Sequence, residues 1–302
     1  MDDNRIEHQD IRIGTMAGKA EKTADYIRQI APHGFECFQI NFKQNLPKGL
    51  TLPKLAKQIQ AVLEQSSSGA IISSLGVFGN PIEDADTRKS FEKCIDHAHR
   101  FGTDLVCGFT GTITGQSVPD AIPAFKKVWS KLAKRAADKG VRIAFENCPM
   151  RGTWQSTRWN LAFNPAAWEL MFDAVPAENM GLEWEPCHQM GQLIDPLPQL
   201  RKWIDKVFHI HGKDATVLHD IVAKRGILSG DRFFYHRAPG FGDTNWADVI
   251  SILRMHGYRG AIDIEGWHDP VYCGDLEMTG QVHALRHLQH CRGGTYVVEP
   301  KV

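Results

Sequence analysis

Four short stretches of this chain alternate apolar and ionisable residues in a way that could gather charge at one point. In VRIAFENC, Val141, Ile143 and Phe145 share one face of an extended chain, which leaves Arg142, Ala144 and Glu146 on the other. GLEWEP sets Leu182 and Trp184 against Gly181, Glu183 and Glu185, and VFHIHGKD sets Phe208 and Ile210 against His209, His211 and Lys213. In the last stretch Ile262 and Ile264 leave Ala261, Asp263 and Glu265 on the polar face. If the apolar faces meet helices, Glu146, Glu185, His211 and Glu265 converge near the C-terminal ends of their strands. Glu183, His209 and Asp263 then lie one layer deeper. Three buried carboxylates at one level call for a cation or for raised pKa values. A divalent metal answers that call, and so does an inward salt-bridge network built from Lys213, Arg142 and the histidines. Three carboxylates and an imidazole form a hard ligand set that suits Mn²⁺, Mg²⁺ or Co²⁺ better than a closed Zn²⁺ site, with Mn²⁺ preferred. The deeper trio would orient the ligands.

Such convergence needs parallel strands joined by helices. An apolar run over 11–16 opens the pattern, and further strands begin near Phe35, Ala70, Asp104, Val141, Met180, Val207 and Arg259, each followed by enough chain for a crossover helix. Gly34, Gly102, Gly140 and Gly257 stand where helices stop. Thr51, Asp84, Asn164 and Asp195 stand where helices start. Eight βα units at this length predict an α/β chain folded as one (β/α)8 TIM barrel over residues 1–302. No G-x-G-x-x-G or phosphate loop supports a doubly wound sheet. Long loops are expected after strands five (149–163) and seven (215–244), on the face where barrels build pockets; an oligomer contact is the other reading.

Composition narrows the function. With 35 Lys+Arg against 35 Asp+Glu in 302 residues, the chain lacks the basic footprint of a general nucleic-acid binder. The basic stretch 126–139 has the spacing of a solvated helix face. No apolar run is long enough for a membrane span, and the polar, acidic start MDDNRIEHQDIRIG is not a secretory signal, so a cytoplasmic location is expected. Seven scattered cysteines without a C-x-x-C pair read as small buried residues. Cys148 and Cys187 have no neighbouring activator that would make either a nucleophile.

The segments IAFENCPM, NMGLEWEPCHQM, FHIHGKD, RAPGFGDTNW and GAIDIEGWH resemble the xylose-isomerase-like TIM barrels of the sugar phosphate isomerase/epimerase superfamily, which includes ketose 3-epimerases and inosose dehydratases. The resemblance implies a metal and substrate site at Glu146, Glu185, His188, His211 and Glu265, with Glu146 and Glu265 also serving as acid and base. It further implies that His188 bonds a substrate oxygen and that Arg237, before a P-G-x-G turn, contacts substrate. Two positions depart from the family pattern: Glu185 stands where Asp is usual, and Gln39 where Glu is common. Trp154 and Trp159 could stack on a sugar or simply pack their loop. Trp267 and His268 are placed at the pocket mouth, and Lys213 with Asp214 reads as a local ion pair.

The expected activity is a metal-dependent sugar isomerase or epimerase working through an enediolate. The alternatives are a lyase, either a keto-inositol dehydratase or a 3-keto-glycoside β-eliminase, and a non-catalytic carbohydrate-binding or assembly subunit. The expected partner is a small sugar, cyclitol or keto-glycoside, with no nucleic acid and no membrane. The chain is expected to form a homo-oligomer, and a second subunit could complete the site.

Overall fold

The computed structural model describes residues 10–66 and 69–300; most of the N-terminal stretch read for a secretory signal lies outside them. The first half of the chain runs β1 (Arg12–Ala17), α1 (Thr23–Ile30), β2 (Cys37–Asn41), α2 (Leu52–Gln65), β3 (Ile71–Val77), α3 (Ala85–His97), β4 (Leu105–Gly108) and α4 (Val118–Ala137). It continues through β5 (Arg142–Glu146), α5 (Pro165–Ala174), β6 (Met180–Trp184), α6 (Pro186–Met190), α7 (Pro196–Trp203) and β7 (Val207–Gly212). An excursion of β8 (Asp214–Val217), α8 (His219–Arg225) and β9 (Phe234–Arg237) precedes α9 (Trp246–Met255), β10 (Ala261–Ile264) and α10 (Glu277–Cys291).

Eight strands close in the order β1-β10-β7-β6-β5-β4-β3-β2, every pairing parallel. This is a (β/α)8 barrel, with strand starts within two residues of those expected. The excursion after β7 is no open loop: β8 and β9 pair antiparallel, from Asp214↔Arg237 to Val217↔Phe234.

The helices form because their apolar residues recur at three and four positions. In α4, Val118, Ala121, Phe125, Val128, Trp129, Leu132, Ala133 and Ala136 are buried while the basic side chains of 126–139 face solvent. Trp129 locks α4 onto the sheet, its ring 4.5 Å from that of Phe145 and its Nε1–H donating to the Thr110 carbonyl at 2.7 Å. Gly34, Gly102, Gly140 and Gly257 all have positive φ, as left-handed helix stops require. Asp84, Asn164 and Asp195 cap their helices through side-chain oxygens; Thr51 holds the cap position but its side chain accepts no cap bond. Among the described residues no helix is long and apolar enough to cross a membrane. Five cysteines are buried as expected, whereas Cys273 is exposed and Cys291 half-buried.

Most barrels fill their interior with branched apolar side chains. Here the deep layer is polar. Asp263, fully buried, accepts from Cys37 Sγ at 3.2 Å and from Ser73 Oγ at 2.5 Å and meets His209 Nε2 at 2.8 Å. Gly14 makes this possible, because a β-carbon there would overlap both the Cys37 carbonyl and the Asp263 carboxylate. Arg142 takes no part in any inward network: it pairs with Asp104 at 2.9 Å, near the N-terminal ends of the strands.

Candidate active site

Glu146, Glu185, His211 and Glu265 come together at the C-terminal ends of four neighbouring strands, β5, β6, β7 and β10. Each offers a ligand atom, all four within 4.8 Å of one another, and all four residues are buried. Their hydrogen bonding is incomplete in a telling way. The buried oxygens of Glu185, Oε2 of Glu265 and Nδ1 of His211 make no well-aligned hydrogen bond among the described residues and face only ionisable neighbours: Glu185 Oε1 the His188 ring at 2.8 Å, Glu185 Oε2 the Lys213 ammonium at 3.8 Å, and Glu265 Oε2 and His211 Nδ1 each other at 3.4 Å. Unsatisfied buried carboxylate oxygens are costly unless a cation sits among them, so this donor set fits a hard divalent metal.

The deeper layer orients His211. Its Nε2 lies 2.9 Å from Gln39 Oε1 and 3.0 Å from Glu183 Oε1. Both are acceptors, so Nε2 carries a proton and Nδ1 turns toward Glu265 Oε2, 3.4 Å away. Gln39 completes the support by donating to Glu183 at 2.5 Å and to Ser74 at 2.8 Å. Burial alone would lower the His211 pKa, but Glu183, Glu265 and Glu146 raise it well above its usual value. A metal and a second proton therefore compete for Nδ1.

Lys213, expected to pair with its neighbour Asp214, does not. Its buried ammonium stands 2.8 Å from Glu265 Oε1, 3.8 Å from Glu185 Oε2 and 3.4 Å from His188 Nε2. Strand parity with His209 and His211 was the signal that placed it here. Asp214 instead accepts from the Thr244 and Ala215 amides at 2.9 and 2.8 Å and from Trp246 Nε1 at 3.1 Å, fastening the excursion to α9.

The carboxyls divide into unlike environments. Burial, then the charges of Glu185 and Glu265, push Glu146 well above the usual carboxylate range. Burial also acts to raise Glu265, but Lys213 together with His211 and His268 brings it well below that range. Glu185, for which burial is again the largest influence, is brought down to about 2 by His188 and Lys213.

His188, on α6, stands 2.8 Å from Glu185 Oε1 and 3.9 Å from Glu146 Oε1. His268 stands 3.0 Å from Glu265 Oε1 and is 45% exposed. With Trp154 and Trp267 they line a cavity of about 1100 Å³ whose floor includes Glu146, Lys213 and Glu265. Trp159 is half-buried and does not line it. Burial holds the Cys148 and Cys187 thiols well above their usual pKa, so neither is a ready nucleophile.

Arg237 also lies outside the cavity lining. Its Nε binds Asp269 at 2.9 Å, and the buried Asp269 further accepts from the amides of Ala238, Val271 and Tyr272 at 3.0, 2.8 and 2.9 Å. This arginine clamps β9 to the loop after β10, and the neighbouring His236 faces the cavity instead. Asp269→Ala is expected to lower stability by about 2–3 kcal/mol through the loss of charge-assisted hydrogen bonds, measured by urea unfolding. A loss below about 0.5 kcal/mol would remove the clamp.

Residues 27–291 match the model of the family described as xylose isomerase-like TIM barrel. An inosose dehydratase of Clostridium botulinum (strain Alaska E43 / Type E3) is 26% identical over 282 residues, covering 86% of this chain and 87% of that one. Among solved structures, the xylose isomerase domain protein from Planctomyces limnophilus superposes with TM-score 0.70 at 18% identity, covering 93% of this chain and 96% of that one. The 3-keto-D-glucoside 4-epimerase YcjR from E. coli superposes with TM-score 0.67 at 14% identity, covering 91% and 99%. The two solved structures bear on the fold alone, and the matched residues span nearly all of the barrel: the chain belongs to the xylose isomerase-like TIM-barrel family.

Proposed function

We propose that this chain is a divalent-metal-dependent isomerase or epimerase that moves a proton on the carbon next to a carbonyl of a sugar-like substrate. The observation that carries this reading is the set Glu146, Glu185, His211 and Glu265, its ligand atoms close together and short of well-aligned hydrogen bonds, beneath an open cavity. These four residues would hold the metal, with Mn²⁺ preferred for so oxygen-rich a set. When bound, such an ion supplies Lewis-acid polarisation of a carbonyl and an adjacent hydroxyl.

The chain's own groups supply the rest. Glu146 and Glu265 stand at opposite ends of the arc β5-β6-β7-β10, so their carboxyls flank a substrate from two sides. One takes the carbon-bound proton and the other returns one on the opposite face, which is the requirement for epimerisation. The Lys213 ammonium balances their charge and offers N–H donors to a substrate oxygen. His188 and His268 are placed to bond hydroxyls, and Trp154 to cover the ring.

A second reading, loss of water or an alcohol β to the carbonyl, is favoured by Lys213, a buried acid beside the carboxylates, and by the inosose dehydratase relative. Proton NMR in deuterium oxide on the manganese-loaded protein separates the two. Ketoses, keto-inositols and keto-glycosides are the substrates to supply. Deuterium entering beside the carbonyl with the skeleton intact is the expected result, and loss of water or aglycone would establish the lyase. A metal-loaded protein that exchanges no carbon-bound proton in any of them would leave a binding subunit as the better account. Isothermal titration is expected to find one Mn²⁺ per chain, and chelation to lower the melting temperature.

A further inference from the structure

Beneath the four floor residues lies another set of donor atoms. Cys107 on β4, Glu183 on β6 and His209 on β7 each bring one within 4.8 Å of the other two, and all three residues are buried. Ala144 of β5, which pairs with Cys107, is small enough to let thiol and carboxylate approach across it. None of the three lines the cavity.

Glu183 uses its two oxygens unequally. Oε1 lies 2.5 Å from Gln39 Nε2 and 3.0 Å from both His211 Nε2 and His209 Nδ1. Oε2, equally buried, makes no well-aligned hydrogen bond and no ion pair among the described residues. A bare carboxylate oxygen in a dry interior is costly without a cation beside it. Histidines are the ion-pair partners of Glu183 and Asp263; no lysine or arginine among the described residues reaches either. His209 is prepared much as His211 is. Its Nε2 meets Asp263 at 2.8 Å, and Asp263 is itself held by Cys37 Sγ and Ser73 Oγ. With the Nε2 proton committed to Asp263, Nδ1 is left to coordinate, the carboxylate–histidine–metal arrangement that fixes a ligand's tautomer.

We propose that Cys107, Glu183 and His209 form a structural metal site that takes Zn²⁺, separate from the oxygen-rich floor above it. A thiolate, an imidazole and a carboxylate are a zinc set, and the two anions cancel the charge of the ion, as burial requires. The thiol gives up its proton on binding, and Ser74, which bonds the Cys107 thiol, or a water completes four-fold coordination. Glu183 Oε2 and His209 Nδ1 go to the ion, which leaves Oε1 to Gln39 and His211. The zinc thereby fixes the carboxylate that orients a floor ligand. Closed off from the cavity, it is taken up as the barrel folds. The site is independent of the reaction at the floor.

The test uses the full chain refolded with Zn²⁺ and then dialysed against chelator to strip the open floor. Elemental analysis is expected to find about one zinc retained per chain, released only on unfolding. Refolded with Co²⁺ instead, the protein should show a thiolate-to-cobalt charge-transfer band, which an ion on the floor residues cannot produce. Cys107→Ala should lose both the band and the retained zinc and melt lower than the parent, while still binding about one Mn²⁺ by titration. Cys187→Ala and Cys148→Ala, which remove the thiols beside His236 and Glu146, should keep band and zinc. If Cys107→Ala does not fold, persistence in those two variants assigns the thiolate to Cys107. Loss of the band in either of them, a chain that keeps no zinc, or cobalt bound without a thiolate band would overturn the proposal. Mn²⁺ binding without retained zinc would defeat the deep site and leave the floor reading standing. Retained zinc without Mn²⁺ binding would do the reverse.

Discussion

Glu146→Gln is expected to slow carbon–hydrogen exchange by about 10²–10⁴-fold, the usual contribution of a positioned acid or base, without unfolding the protein. Burial and the two neighbouring carboxylates already disfavour the Glu146 anion, so a neutral isostere removes a repulsion from the metal-free site rather than an attraction. Because the folded pKa is raised, ionisation of Glu146 weakens the fold as pH rises through its ordinary range, and the amide is relieved of that penalty. Metal-free Glu146→Gln should therefore melt no lower than the parent at neutral pH. Glu185→Gln should behave oppositely. Its pKa is brought down to about 2 by His188 and Lys213 against the pull of burial, so its contribution is present above the unfolded value, about 4.3, and is lost as pH falls toward 2. Exchange rates by NMR and melting curves in chelator check both statements. Full turnover in Glu146→Gln with metal still bound would remove Glu146 from the proton path.

The contrast between these carboxyls was legible in the chain only in part. Alternation placed Glu146, Glu185, His211 and Glu265 on one face because each lies in, or directly after, a strand whose other face is plainly apolar, and closure of the barrel turned a shared parity into a shared place. Strand starts were legible for the same reason, sharpened by glycines at the ends of the preceding helices. The excursion after β7 was not legible. Its course is set by contacts about thirty residues apart, such as Asp214 with Trp246 and Arg237 with Asp269, and no local period announces them. The resemblance pointed to Arg237 as a substrate contact; Asp269 holds its Nε, and the cavity lining takes in the neighbouring His236, which no sequence feature had singled out. Lys213 was misjudged for a different reason: adjacency to Asp214 suggested a pair, although consecutive residues of an extended chain point to opposite sides. Thr51 shows a smaller version of the same limit, since a residue type at a helix start does not fix its side-chain bond.

Lys213→Met is expected to destabilise the metal-free protein by about 3–5 kcal/mol, the cost of leaving buried charge without its partner. The ammonium lies 2.8 Å from Glu265 and 3.8 Å from Glu185, and no other lysine or arginine among the described residues makes an ion pair with either. Burial acts to lower the Lys213 pKa, but Glu185 and Glu265 raise it well above its usual value. The contribution of the pair is thus fully present below the unfolded lysine pKa, about 10.4, and persists until pH exceeds the higher folded value. Urea unfolding in chelator should find the same gap between parent and variant at pH 7 and pH 9, closing in acid as the carboxylates take up protons. Manganese then decides between the two answers to the barrel's buried charge. A divalent ion among Glu146, Glu185, His211 and Glu265 would neutralise the same oxygens, so saturating Mn²⁺ should recover most of the lost stability where sodium does not. If the metal-free variant is as stable as the parent, Lys213 is not the counter-charge. If it is unstable and Mn²⁺ does not restore it, the ammonium is the resident cation and the four residues form a structural salt-bridge network, not a metal site.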